Sequence, residues 1–331
     1  MTFSSKYCLS EMPEVVMKKI LEKSDIRSIF TLRKVSRGFR DFIDSTIPDA
    51  NLEMIQIFIA PDYISVRYDT FNKKIYRITH RNTDQNGCIL ELGNEKKKSI
   101  DKDYKTAFCD DFVNILRHQK SILRYFLLGW KGEQDRYSEA LEQTGLQILK
   151  TIEERALKLR RTPLKVLSLR INSSNKESIM CILPYINSEI LETIGLSSPC
   201  IFSRKVMEMG EIVDLEQWKK AKALYTPGIF LTANARDLGH FEKGNFYLKS
   251  VTVEDLAYLK EKFLASPSFE NVYIGFFSFF PDFEQFLQLF GPPSFEEHFQ
   301  NTWMIKYPNS KKSLKIVASL RYIHFESAVF I

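Results

Sequence analysis

MPEVVMKKILEKSDIRSIFTLRKVSRGFRDFI, residues 12–43, is the stretch on which the reading of this chain turns. Pro13 suits the opening turn of a helix, and Glu14 sits well near the positive end of its dipole. Val16, Met17, Ile20 and Leu21 then fall on one helical face. Asp25 can cap a second helix carrying Ile26, Ile29 and Phe30. A third is expected to carry Leu32, Val35, Phe39, Phe42 and Ile43. Three short amphipathic helices in about thirty residues bury too little to stand alone, since cores below ~40 residues usually need help. Part of their apolar surface is therefore expected to meet something else.

Met12-Pro13, Ile20-Leu21, Asp25, Ile29, Leu32, Val35, Ser36 and Phe39 stand in an order and spacing that resembles the F-box. That resemblance implies a three-helix module docking on the Skp adaptor of Skp–cullin–F-box ubiquitin ligases. The residues it assigns to adaptor binding are Met12, Pro13, Val16, Ile20, Leu21, Ile26, Ile29, Leu32, Val35 and Phe39. Met12, Ser24 and Phe39 depart from the leucine, leucine and tryptophan usual there. Gly38 is read as lying inside the third helix, where glycine costs ~1 kcal/mol relative to alanine.

Outward from that module, 331 residues suffice for a substantial core, and 44% hydrophobic with 27% charged residues is a globular composition. Phe (26) and Tyr (14) are abundant, so aromatic packing should dominate the interior. The net charge is +6, and residues 1–46 hold nine Lys/Arg against six Asp/Glu, half of that excess. Toward an acidic partner such charge mainly speeds association. The five cysteines form no CxxC pair and read as free thiols of a reducing compartment. With no signal-like start and no apolar window near ~18 residues, the expected home is cytosol or nucleus, away from membrane.

Residues 1–10 show no periodicity and are expected to be a mobile arm, followed by the helical module at 11–47 and one larger unit at 48–331. From Leu52 the period changes to that of strands, and Asn86-Gly87 is a strong turn signal, so residues 51–92 read as an antiparallel meander. Lys96-Lys97-Lys98 reads as a polar loop. Beyond residue 110 helix and strand alternate: a helix at 111–125, a long one at 138–161, strands at 164–171 and 190–196, a helix at 215–223, and a strand pair near 224–231. A strand at 246–251, a helix at 253–264, a strand at 272–277, a helix at 281–290 and a hairpin about Pro308 follow. The fold class is thus α/β, α+β overall. Strand starts near 164, 190 and 224 favour an in-line, leucine-rich-repeat-like solenoid, with an open α/β sheet as the alternative. No glycine-rich turn follows a strand, as a dinucleotide site would need.

EQWKKAKAL (216–224), His240-Phe241, SVTVEDL (250–256), Leu259-Lys260-Glu261 and Tyr307-Pro308-Asn309-Ser310 look like the FTH domain, which follows the F-box in the large nematode F-box A family. The likeness covers 12–46 and about 150–325. It implies a substrate-recognition subunit: Skp-type adaptor and through it cullin on one side, an unknown target protein on the other. Read from the residues alone, Trp218 and Ala221 face a core, while Lys219, Lys220 and Lys222 stay in water.

No enzyme signature emerges. The five histidines are dispersed without HExxH, and neither GxSxG nor GxxxxGK[ST] occurs. Cys109 stands beside Asp110-Asp111, which disfavours its thiolate. Neither a cofactor nor a metal is expected. The remaining alternative is an RNA-binding or scaffold protein without ligase coupling, motivated by Lys150, Arg155, Lys158, Arg160, Arg161 and Lys165. Glu153 and Glu154 interrupt that basic face, so nucleic acid is disfavoured.

Overall fold

In the computed structural model, the described residues are 12–83, 87–93, 96–131, 139–199, 205–277, 283–297, 300–308, 312–319 and 321–329. The expected arm at 1–10, Cys8, Cys200, His298 and the Asn309-Ser310 turn lie outside them.

Three helices open the chain: α1 (Glu14–Lys23), α2 (Ile26–Leu32) and α3 (Arg37–Thr46). Each start has a sequence cause. The Pro13 carbonyl accepts from Val16 and Met17, Asp25 caps the Ser28 amide at 2.8 Å, and the Ser36 hydroxyl caps Phe39 at 3.2 Å. Leu32 ends α2 rather than entering α3, and Val35 sits in the turn between them. Gly38 occupies the second position of α3, not its interior, so the helix-propensity cost expected of it is largely avoided. Ser24 closes α1, where its hydroxyl bonds the Ile20 carbonyl at 2.7 Å.

An antiparallel meander follows as expected: β1 (Leu52–Ile59), β2 (Tyr63–Thr70), β3 (Ile75–Asn82) and β4 (Cys88–Leu92). It gains a fifth strand, β5 (Lys96–Ile100), where a loop was expected. The Lys96-Lys97-Lys98 run forms this edge strand because Glu91 faces Lys97 across the ladder, their charged groups 3.4 Å apart.

The helix expected at 111–125 is α4 (Tyr104–His118), begun earlier by the Asp103 cap. It also ends earlier, because Leu123–Trp130 is β6, paired in parallel with β1 on one side and β7 (Val166–Asn172) on the other. Its apolar run is that of a strand buried in mid-sheet. Between them, α5 (Glu139–Ile152) runs into a π-helical turn at Glu153–Leu157. The sheet continues through β8 (Thr193–Leu196), β10 (Ala223–Leu231), β11 (Lys243–Leu248) and β12 (Asn271–Phe276), all parallel, with β9 (Lys205–Met207) paired to β10. An antiparallel wing of β16 (Tyr322–Val329), β15 (Lys312–Ser319), β14 (Gln300–Lys306) and β13 (Phe295–Glu297) closes the far end. The hairpin expected about Pro308 is β14 and β15, and a further strand, β16, follows and pairs with β15 as far as Ser319 and Tyr322.

The strands from β6 to β12 therefore follow one another in line, the feature on which the solenoid expectation rested. Their starts at 123, 166, 193, 223, 243 and 271 are unevenly spaced, and no regular repeat emerges. The architecture is a mixed α/β sheet with antiparallel wings. In-line parallel strands with right-handed crossovers put every connecting helix on one face. Burial agrees: the row Tyr68, Ile55, Phe126, Leu169, Ile194 and Leu224 is buried, while the alternate residues Gln56, Leu127, Tyr225, Tyr247 and Tyr273 are only half-buried. Trp218, on the sheet side of the short helix Glu216–Lys220, is fully buried, packs edge-on to Phe241 and donates to the Asp237 carbonyl. The expected core role of Trp218 and Ala221 is what the structure has.

Candidate functional site

Two surfaces of the described chain present groups that its own packing does not consume. The first is built by α1–α3. Leu21, Ile29 and Ile43 form a small core of their own, with Leu32 and Phe42 against it. Ile26 and Phe30 instead join the main core, Phe30 edge-on to His118 with ring centres 5.7 Å apart. Of the ten residues expected to bind a partner, Leu21 (2% exposed), Ile29 (0%), Ile26 and Phe39 are buried within the chain and shape the surface from beneath. Met12, Ile20 and Leu32 are half-buried. Pro13, Val16 (41%) and Val35 (65%) are open to solvent. The resemblance assigned all ten alike; packing separates them. Val15, also exposed, was missed because its position lies off the α1 stripe.

This helical module is fastened to the sheet. Asp25, besides capping α2, accepts from Lys74 Nζ at 2.8 Å and the Tyr76 hydroxyl at 3.0 Å, and Lys74 holds its carboxyl far below the usual range. Arg33 makes a two-pronged pair with Asp44 at 2.7 and 2.9 Å, joining the end of α2 to α3. In the connection, His118 donates Nδ1–H to the Pro48 carbonyl at 2.9 Å, and Asp49 accepts from the Lys120 amide, also at 2.9 Å. The buried Gln119 side chain bonds both the amide and the carbonyl of Leu52.

The second surface is the face of the sheet opposite the helices. Three glycines there seat large side chains from adjoining strands. A Cβ on Gly195 would lie 2.9 Å from Arg170 Cγ, and one on Gly129 3.2 Å from the Phe58 ring; on Gly275 it would overlap the Tyr247 ring. The rings and the guanidinium stem thus lie flat across the sheet. Tyr247 meets Phe230 edge-on at 5.5 Å, Tyr273 stacks on Tyr322 at 5.0 Å, and Arg170 lies over Tyr125 at 5.6 Å. Arg77 and Arg170 have no carboxylate partner among the described residues. Sequence reading missed these positions because cross-strand glycine–aromatic pairing depends on register; the i, i+2 spacing of Asn245-Tyr247 and Tyr273-Gly275 was the one local signal.

The groups that might have made an enzyme site are otherwise engaged. Burial first, and Asp110 to a lesser extent, pushes the Cys109 thiol up to about 12, and burial with the Glu153 hydrogen bond does the same for Cys181. Neither is an activated nucleophile. His80 meets Asp111 at 3.0 Å deep under α4, edge-on to Phe108. Among the described residues no group of three or more His, Cys, Asp or Glu is placed to hold a metal ion. Three residues of the basic stretch after α5 are spent internally: Arg155 pairs with Asp110 at 2.7 Å, Lys158 with Glu153 and Glu154, and Arg160 reaches the Leu116 and Gln119 carbonyls. Lys220 and Lys222 likewise pair with Glu189 and Glu192. Among the described residues no helix is long and apolar enough to cross a membrane.

Comparison with protein families finds two matches. A model described as the F-box domain matches residues 9–50, and one described as the FTH domain matches residues 146–293. No curated protein matches the chain.

Proposed function

The chain is an F-box protein with an FTH domain, and we propose that it is the substrate-recognition subunit of a Skp–cullin–F-box E3 ubiquitin ligase. The helical module docks on a Skp-type adaptor and through it on cullin, and the sheet unit holds a target protein. In this role the chain works by holding the target near the subunits that transfer ubiquitin, which raises effective concentration.

One observation supports this reading above the rest: Pro13, Val16 and Val35 stay exposed on a module whose own core, Leu21, Ile29 and Ile43, is complete. Apolar side chains left out of a finished core are the material of an interface, where a few anchors carry most of the energy. Met12, Ile20 and Leu32 would widen that contact.

The test is co-purification of the full chain with a Skp-type adaptor, against the double variant Val16→Asp/Val35→Asp. Capture by the wild type and its loss in a variant of unchanged circular dichroism and melting temperature is the expected result. Equal capture of both would overturn the assigned face.

A further inference from the structure

The sheet face that the described helices leave uncovered is chemically two-sided. One row across the strands runs from Arg77 and Arg67 through Gln56, Leu127 and Arg170, across Gly195, to Tyr225, Asn245 and Tyr273. Arg67 is neutralised by Asp69 at 2.8 Å, but Arg77 and Arg170 are exposed and face no carboxylate among the described residues. Toward β12 and β16 the same face becomes aromatic, with Phe230, Tyr247, Tyr273, Tyr322 and the exposed Phe277 in contact with one another.

Taking the chain as a target-binding subunit, we propose that this face holds an extended acidic segment of the target protein. A carboxylate of that segment pairs with Arg170, and an aromatic or aliphatic side chain settles on the Tyr247–Tyr273–Tyr322 pavement. Charge complementarity selects the acid: guanidinium groups without a carboxylate beside them bind carboxylates in a fork. The pavement selects the anchor, since tyrosine and arginine are the side chains that carry binding energy at protein interfaces. Because each ring is locked over a glycine or against another ring, little side-chain freedom is lost when a partner arrives. Arg170 and Tyr273 stand four strand spacings apart, about 19 Å at ~4.8 Å per strand. A segment lying across the strands, at ~3.3 Å per residue, therefore separates its acid from its anchor by about six residues.

The experiment selects a random fifteen-residue peptide display library on the full chain. The expected consensus places Asp or Glu about six positions from an aromatic or Leu/Ile residue. Its best peptide should bind Arg170→Glu and Tyr273→Ala at least tenfold more weakly, with Lys219→Glu, on the helix side, unchanged. A consensus without acidic residues, binding indifferent to Arg170 and Tyr273, or displacement of the peptide by a single-stranded oligouridine at equal concentration would overturn the proposal; the last would make the face a base-stacking platform. Adaptor capture is scored on the same variants. Loss of peptide binding with capture retained is the expected pattern, and failure of wild-type capture would defeat the ligase reading without altering the peptide result.

Discussion

The Asp25 carboxylate caps the α2 helix through the Ser28 amide and, with its second oxygen, accepts from Lys74 Nζ at 2.8 Å. One side chain thus starts a helix and ties it to the β2–β3 hairpin. Asp25→Ala should cost about 1–2 kcal/mol, the usual range for losing a helix cap, and should speed hydrogen exchange over residues 26–32. Lys74→Met removes the tie and keeps the cap; since Lys74 is largely exposed, its effect should be well under that of Asp25→Ala. Equal effects of the two variants would contradict this division of roles.

Leu21→Ala and Val35→Asp should separate stability from docking. Leu21 lies in the three-residue core of the helical module, and its truncation should cost about 2–4 kcal/mol and melt α1–α3 before the sheet. Val35 is exposed in a turn, so Val35→Asp should leave the unfolding free energy within ~0.5 kcal/mol while weakening adaptor capture. A charge at Leu21 would report unfolding instead.

Gly145 sits in α5, where alanine is intrinsically better by ~1 kcal/mol. Yet a Cβ there would collide with Trp130 Nε1 on β6. Overpacking of this kind costs about 1–3 kcal/mol, so Gly145→Ala should lower the melting temperature and shift the tryptophan emission. A rise in stability would show that α5 can ride outward freely.

Burial depresses the His118, His240 and His324 imidazoles below their ordinary value. Each is then neutral in the fold and becomes protonated first in the unfolded chain. Their contribution is complete above the ordinary imidazole value, near 6.5, and is lost as pH falls from there through the depressed native values. Urea midpoints should therefore drop between pH 7 and pH 5, and His118→Gln should narrow that drop. An unchanged gap would place the pH dependence elsewhere.

Local signals carried the helical module, the meander and most of the later elements, because caps at Asp25 and Ser36 and the period change at Leu52 are written within a few residues. The errors fell where distant pairing decides. Leu123–Trp130 became a strand because β1 and β7 flank it, and Lys96–Ile100 because Glu91 answers Lys97. The division of the ten candidate residues into buried and open could not be read from spacing, since it depends on how three short helices and the turns between them pack on one another. The sheet-face residues were hidden for a stronger reason: Tyr247 and Gly275, or Arg170 and Gly195, are neighbours only once the register is set.

The connection at Ile47–Asn51 is held from both sides by His118 and the buried Gln119, and Phe30 is seated in the main core. In the proposed role, the span between the helices that would face the adaptor and the sheet face is consequently a strut of fixed length and heading, not a tether. A cargo clamped on such a strut offers the same few lysines to the transfer machinery at every visit. Selection of the modified residue would then be a matter of surveying, set by where the clamp points, and lengthening the connection by a few glycines would blur the choice of lysine without weakening the grip on the cargo.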